Sequence, residues 1–121
     1  MFNDLIGKPY RLGAKGPEAY DCWTLTVEAA KRFGFAVPEI DCTGLARAEI
    51  GAIADEKRHN IAYEIDLPSD GDVLLSLRLG HIGTVLKGMV LHTHRKHGVL
   101  LERMESFRAM YKDAQAYRWA R

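Results

Sequence analysis

Residues 81–94 read HIGTVLKGMVLHTH, two β-like runs joined at Lys87-Gly88. Both runs are rich in aliphatic and β-branched residues, and a two-residue connection ending in glycine is a short-range hairpin signal. DVLLSL precedes the pair and GVLLERM follows it, with breaks at Arg78 to Gly80 and Lys96 to Gly98. The stretch after Pro68 therefore reads as an antiparallel meander. A last run, AYRWAR, is one more candidate strand, and alternation places Tyr117 and Trp119 on the same face.

The first half of the chain has a different period. From Asp21, the residues Leu25, Val27, Ala29, Ala30 and Phe33 fit one helical stripe, with Glu28, Lys31 and Arg32 mostly opposite. Asp21 is suited to the N-cap and Gly34 to the residue past the C-cap. A second helix is expected over Thr43 to Arg58, where Leu45, Ala46, Ile50, Ile53 and Ala54 recur at helical spacing around Gly51. Helices first and strands afterwards imply an α+β domain, its helices packed on one face of an antiparallel sheet. A doubly wound fold would interleave them. With 121 residues, the chain suits one domain spanning 1–121.

Composition narrows the function classes. The chain is 47% hydrophobic and 27% charged, the balance of a globular protein, with a formal net charge of +1. Its lysines and arginines are dispersed, which argues against nucleic acid as a partner. No run reaches the about 18 apolar residues of a membrane span, and Met1 to Lys15 lacks the apolar stretch of a signal peptide. Action outside the cytoplasm would then require delivery by lysis or a larger assembly. The two cysteines, Cys22 and Cys42, are expected to be free thiols in different environments.

Cys22 is the residue with the most chemical potential. If Asp21 caps the helix, Cys22 lies in the first turn, where unpaired N–H groups and the helix dipole stabilise a thiolate. Position alone leaves it open between a nucleophile and a small buried hydrophobe. A base would decide, and there are five histidines. His59, in EKRHN, reads as a solvated residue. His81 opens a strand and shares its face with Gly83 and Val85, so Gly83 leaves room beside the imidazole. His92 lies in the next strand, and the hairpin can bring the two rings side by side. His81 could then take a proton from Cys22 while His92 orients it. Each histidine, taken singly, is more readily a satisfied structural residue than a catalytic one. His92, His94 and His97 form an H-x-H-x-x-H cluster, but the basic HTHRKHG context, with no acidic or thiol ligand nearby, argues against a metal, and no cofactor is implied.

These residues also carry a family resemblance. IGKPYRLGAKGPEAYDCWTL, SDGDVLLSL and GHIGTVLKGMVLHTH, in that order, resemble the NlpC/P60 superfamily of cysteine peptidases, particularly the versions found in phage and prophage tails. The resemblance spans nearly the whole chain and implies a papain-like fold without cofactor or metal. It implies Cys22 as nucleophile, His81 as general base and acid, and His92 as the group orienting His81. Tyr10 resembles the family tyrosine near the nucleophile, a candidate oxyanion donor together with the Cys22 backbone N–H. Asp21 and Trp23 flank the nucleophile as candidate substrate-site residues. Trp23-Thr24 replaces a common Ser-Gly, a departure that bears on substrate preference. The implied substrate is a peptidoglycan stem peptide, cut between D-γ-glutamyl and a diamino acid, with phage tail-tip or hub proteins as partners and a tail as the vehicle. Two other readings are a non-catalytic tail component and a thiol-dependent acyltransferase or amidase.

Overall fold

Asp21 begins the first helix as the sequence suggests. Its backbone is extended, at φ −94° and ψ −179°, and its Oδ1 accepts from the Thr24 N–H at 2.8 Å. Thr24 Oγ1 accepts in return from the Asp21 N–H at 3.0 Å, closing a reciprocal capping box that satisfies two otherwise orphaned donors. Helix α1 then runs over Cys22–Arg32, with Phe33 as C-cap and Gly34 at φ +89° beyond it. Lys31 and Arg32 in the last turn complement the dipole. The computed structural model describes residues 2–37 and 61–120. The expected helix over Thr43 to Arg58, together with Cys42 and His59, lies outside the described residues.

Six strands follow: β1 Ala62–Ile65, β2 Val73–Ser76, β3 His81–Leu86, β4 Met89–His94, β5 Gly98–Arg103 and β6 Gln115–Trp119. They form one antiparallel sheet in the order β1-β6-β2-β3-β4-β5. The four central runs make the expected meander. At the β3–β4 turn, Lys87 and Gly88 both have positive φ, +53° and +75°, the backbone that matches a tight connection to the twist of its strands. Two elements are not evident from the sequence pattern. Strand β1 is short and adds at the sheet edge. Helix α2, Met104–Met110, takes over Met104, which strand periodicity alone would append to β5.

The helices cover both faces of the sheet, which corrects the expectation of one covered face. On one face, α1 packs Leu25, Val27, Ala29 and Ala30 against Val73, Leu75, Ile82, Leu91 and Val99. Tyr117 and Trp119 join that face together, as alternation requires. The residues of opposite parity, Leu74, Val85, Val90 and Ala116, pack on Phe107, Tyr111 and Ala114 from α2 and the segment after it. Burial on both faces explains why β2 and β3 are apolar without strict alternation. Phe107 has 0% exposure, and removing a side chain of this size from water stabilises the fold by about 1.5–3 kcal/mol. At the sheet's other end, Arg118 on β6 holds the buried Asp72 through two N–H donors, each at 2.9 Å. No helix among the described residues is long and apolar enough to cross a membrane.

Candidate active site

The chemistry expected of the sequence gathers where α1 begins and β3 begins. Cys22 is the first residue of α1, buried, and its Sγ lies 3.8 Å from the carbonyl oxygen of Gly80. The sulfur therefore reaches the first peptide of β3, one residue from His81. A thiol in this position also meets the positive end of a helix dipole, which favours its anionic form.

The loop before α1 is strapped to the same point. Tyr10 and Tyr20 form a parallel bridge, with Arg11 N–H donating to Tyr20 O at 3.2 Å and Tyr20 N–H to Pro9 O at 3.1 Å. Tyr10, half-buried, is thus held beside the strand that leads into Cys22. Asp21 is 1% exposed and its carboxylate is engaged within the chain. While Oδ1 caps the helix, Oδ2 accepts from the Gly13 N–H at 3.0 Å. Both bonds fix the backbone that leads into Cys22. Trp23 is likewise interior, packed edge-on against Trp119 with ring centroids 6.4 Å apart at 84°.

His81 and His92 do meet. His81 Nε2 and His92 Nδ1 are 2.9 Å apart, with the two residues only 5% and 1% exposed. Helix α2 and its C-cap residue Tyr111 flank both rings from the second face of the sheet. Tyr111 stacks on His81 at 4.6 Å and 20°, and Phe107 stands edge-on to His92 at 4.9 Å and 83°. Gly83 supplies the room expected of it: a β-carbon there would lie 3.1 Å from that of His92.

The pair has a third member, missed in the sequence. Glu102 on β5 places Oε1 2.8 Å from His92 Nε2. Register could have found it. The short turn between β4 and β5 pairs His94 with Gly98, hence Val90 with Glu102, which sets Glu102 diagonally across from His92 on the same face. Burial pushes the His92 pKa below its ordinary value, with Glu102 opposing the shift and His94 adding to it. Near neutral pH, His92 is an uncharged imidazole with one N–H to give.

Among the described residues, His94 and His97 bond elsewhere. His94 Nδ1 accepts from the Lys96 N–H at 3.0 Å, and its ring stacks on that of His97 at 4.8 Å in the exposed turn. Among the described residues, no three His, Cys, Asp or Glu side chains gather as a metal site.

The profile of the NlpC/P60 family matches residues 7–118, which include all of these positions. The chain belongs to the NlpC/P60 family. Among solved structures, NlpC1 from Trichomonas vaginalis superposes with a TM-score of 0.64 at 19% identity, covering 96% of this chain and 41% of that one. The NlpC/p60 domain of the peptidoglycan hydrolase SagA superposes with a TM-score of 0.58 at 17% identity, covering 93% of this chain and 87% of that one. At these identities the likeness is one of fold: α+β and papain-like, with an antiparallel sheet. The chain thus spans less than half the length of NlpC1. No curated protein matches the sequence.

Proposed function

We propose that this NlpC/P60 protein is a cysteine peptidase that hydrolyses amide bonds in peptidoglycan stem peptides, at the bond between D-γ-glutamyl and a diamino acid. The observation that carries the reading is the approach of Cys22 Sγ to the Gly80 carbonyl while the neighbouring His81 is hydrogen-bonded to His92. Family membership and the likeness in fold to a peptidoglycan hydrolase domain support it.

In this reading His81 takes the proton of Cys22, and the thiolate attacks the amide carbonyl carbon. The developing oxyanion draws on the N–H of Cys22 and on the Tyr10 hydroxyl. His81 returns its proton to the departing amine as the C–N bond breaks, leaving a thioester on Cys22. Water then gives a proton to His81 and its oxygen to the acyl carbon, and the thiolate leaves. Trp23 acts on this chemistry through packing. In this reading the vehicle is a phage or prophage tail, among tip or hub proteins, a role that rests on the sequence resemblance alone.

The test is direct. Purified protein and Cys22→Ala are incubated with muropeptides of known stem, and products are read by mass spectrometry. The wild type alone should release the dipeptide-bearing fragment. Equal product from both proteins would remove Cys22 from the mechanism, and no product from either would favour a structural tail component. Product carrying an added amine instead of water would mark an acyltransferase.

A further inference from the structure

His81 is the end of a chain of three side chains, and Glu102 is the other end. A carboxylate oxygen can only accept, so the hydrogen in the 2.8 Å contact between Glu102 and His92 belongs to His92 Nε2. A neutral imidazole has one N–H, so His92 Nδ1 then carries a lone pair. That lone pair faces His81 Nε2 at 2.9 Å, which puts the hydrogen of the second contact on His81 Nε2. Neutral His81 is thereby left with its own lone pair at Nδ1. Without Glu102, His92 loses its reason to prefer one tautomer. The form protonated at Nδ1 would donate to His81 Nε2 and drive the His81 proton onto the nitrogen that a base must keep open.

We propose that Glu102 is a positioning residue of this site, acting through His92 to hold His81 in the tautomer that can accept the Cys22 proton and to stabilise the imidazolium that results. The proposal rests on the Cys22–His81 reading for its catalytic consequence, while its structural part is independent of it. The step balances simply: the S–H bond breaks, an N–H bond forms at His81 Nδ1, and one positive and one negative charge appear on imidazole and sulfur. His81 Nε2–H continues to donate to His92, with the Glu102 charge one ring further on.

Other described groups also face this pair. His94 comes from the same strand as His92, while Phe107 comes from α2 and Tyr111 is the C-cap of that helix. Ser76 lies opposite His81 in the β2–β3 register and donates to Asp113 Oδ1 at 2.7 Å. Cys22 approaches at Gly80. The carboxylate of Glu102 is bonded directly to the histidine chain.

Two variants of the full chain separate tautomer from charge. Glu102→Gln keeps an accepting oxygen and removes the charge, whereas Glu102→Ala removes both. Imidazole nitrogen NMR, recorded in the Cys22→Ala background above neutral pH, should show His81 protonated at Nε2 with Glu102 present or replaced by Gln, and a tautomer mixture in Glu102→Ala. Alkylation of Cys22 by iodoacetamide, followed by peptide mass spectrometry with Cys22 unmutated, needs no substrate. In both variants its acid limb should move upward by about one pH unit, so that the rate near pH 6 falls about three- to tenfold. His81 protonated at Nδ1 with Glu102 intact, or an alkylation profile that neither variant moves, overturns the proposal. If Glu102→Ala does not fold, the Glu102-intact spectrum and the Gln profile decide it. A wild type inactive on muropeptides with the expected tautomers would sink the hydrolase reading and leave the Glu102 assignment standing.

Discussion

Gly83 holds open the space that His92 occupies. A β-carbon built there would lie 2.5 Å from Val90 Cγ1, closer than packed atoms tolerate, and 3.1 Å from His92 Cβ, tighter than most real contacts. The absence of one methyl group on β3 is therefore a condition for the histidine pair on β3 and β4.

Gly83→Ala should accordingly impair the site more than the fold. Overpacking of this kind costs about 1–3 kcal/mol, and here the displaced atoms belong to β4, carrying the His92 ring away from His81 Nε2. Thermal unfolding and muropeptide turnover measured on the same preparation should show a moderate fall in Tm and a loss of at least about tenfold in kcat. Full turnover at a lowered Tm would mean that the 2.9 Å histidine contact has no catalytic weight.

The two thiols should differ in reactivity. Cys22 sits at the first position of α1, and its sulfur lies at the start of the strand that carries His81. Helix N-termini and imidazolium partners both favour thiolate. Against pH, alkylation of Cys22 should reach half its maximal rate at a lower pH than that of Cys42. Superimposable profiles for the two cysteine peptides would count against an activated Cys22.

Helix α2 should matter to chemistry from the face opposite α1. Phe107 is fully buried, edge-on to His92 and stacked at 5.9 Å over His81, and it also anchors the apolar cluster with Leu74, Val85 and Val90. Phe107→Ala should cost about 3–5 kcal/mol, as truncation of a buried aromatic leaves a cavity. Phe107→Leu keeps most of the volume and should unfold close to the wild type while losing activity, because the flat wall that fixes both rings is gone. Wild-type turnover in Phe107→Leu would reduce α2 to a packing element.

How far the sequence discloses this arrangement depends on how local each signal is. The Asp21 cap, the α1 stripe, the Lys87-Gly88 turn and the shared face of Tyr117 and Trp119 depend on neighbours a few positions away, and all are present in the fold. The meeting of His81 and His92 follows from one tight hairpin. Glu102 required counting register through a second hairpin, and its single carboxylate sits in GVLLERM without any periodic cue. Helix α2 is shorter than two full turns and has no side-chain cap, so its helicity comes from packing Phe107 under the sheet. Strand β1 exists because β6 offers an edge, a relationship between segments more than fifty residues apart.

The buried His92 makes stability depend on pH in a specified direction. Its pKa in the fold lies below the ordinary 6.5, with burial as the largest cause. Below that value the unfolded chain takes up a proton that the folded ring resists, so the unfolded state binds more protons and stability falls as the pH is lowered. The contribution is fully present above 6.5 and is lost progressively as pH drops toward the folded-state value. His92→Asn removes this titration and keeps an accepting oxygen near the position of Nδ1. The free-energy gap between wild type and His92→Asn, measured by denaturant unfolding from pH 7.5 to 5, should shift against the wild type by up to about 1.4 kcal/mol per pH unit. A gap that stays constant over that range would mean that the fold imposes no penalty on the charged ring, and the neutral His92 on which the tautomer argument depends would have to be given up.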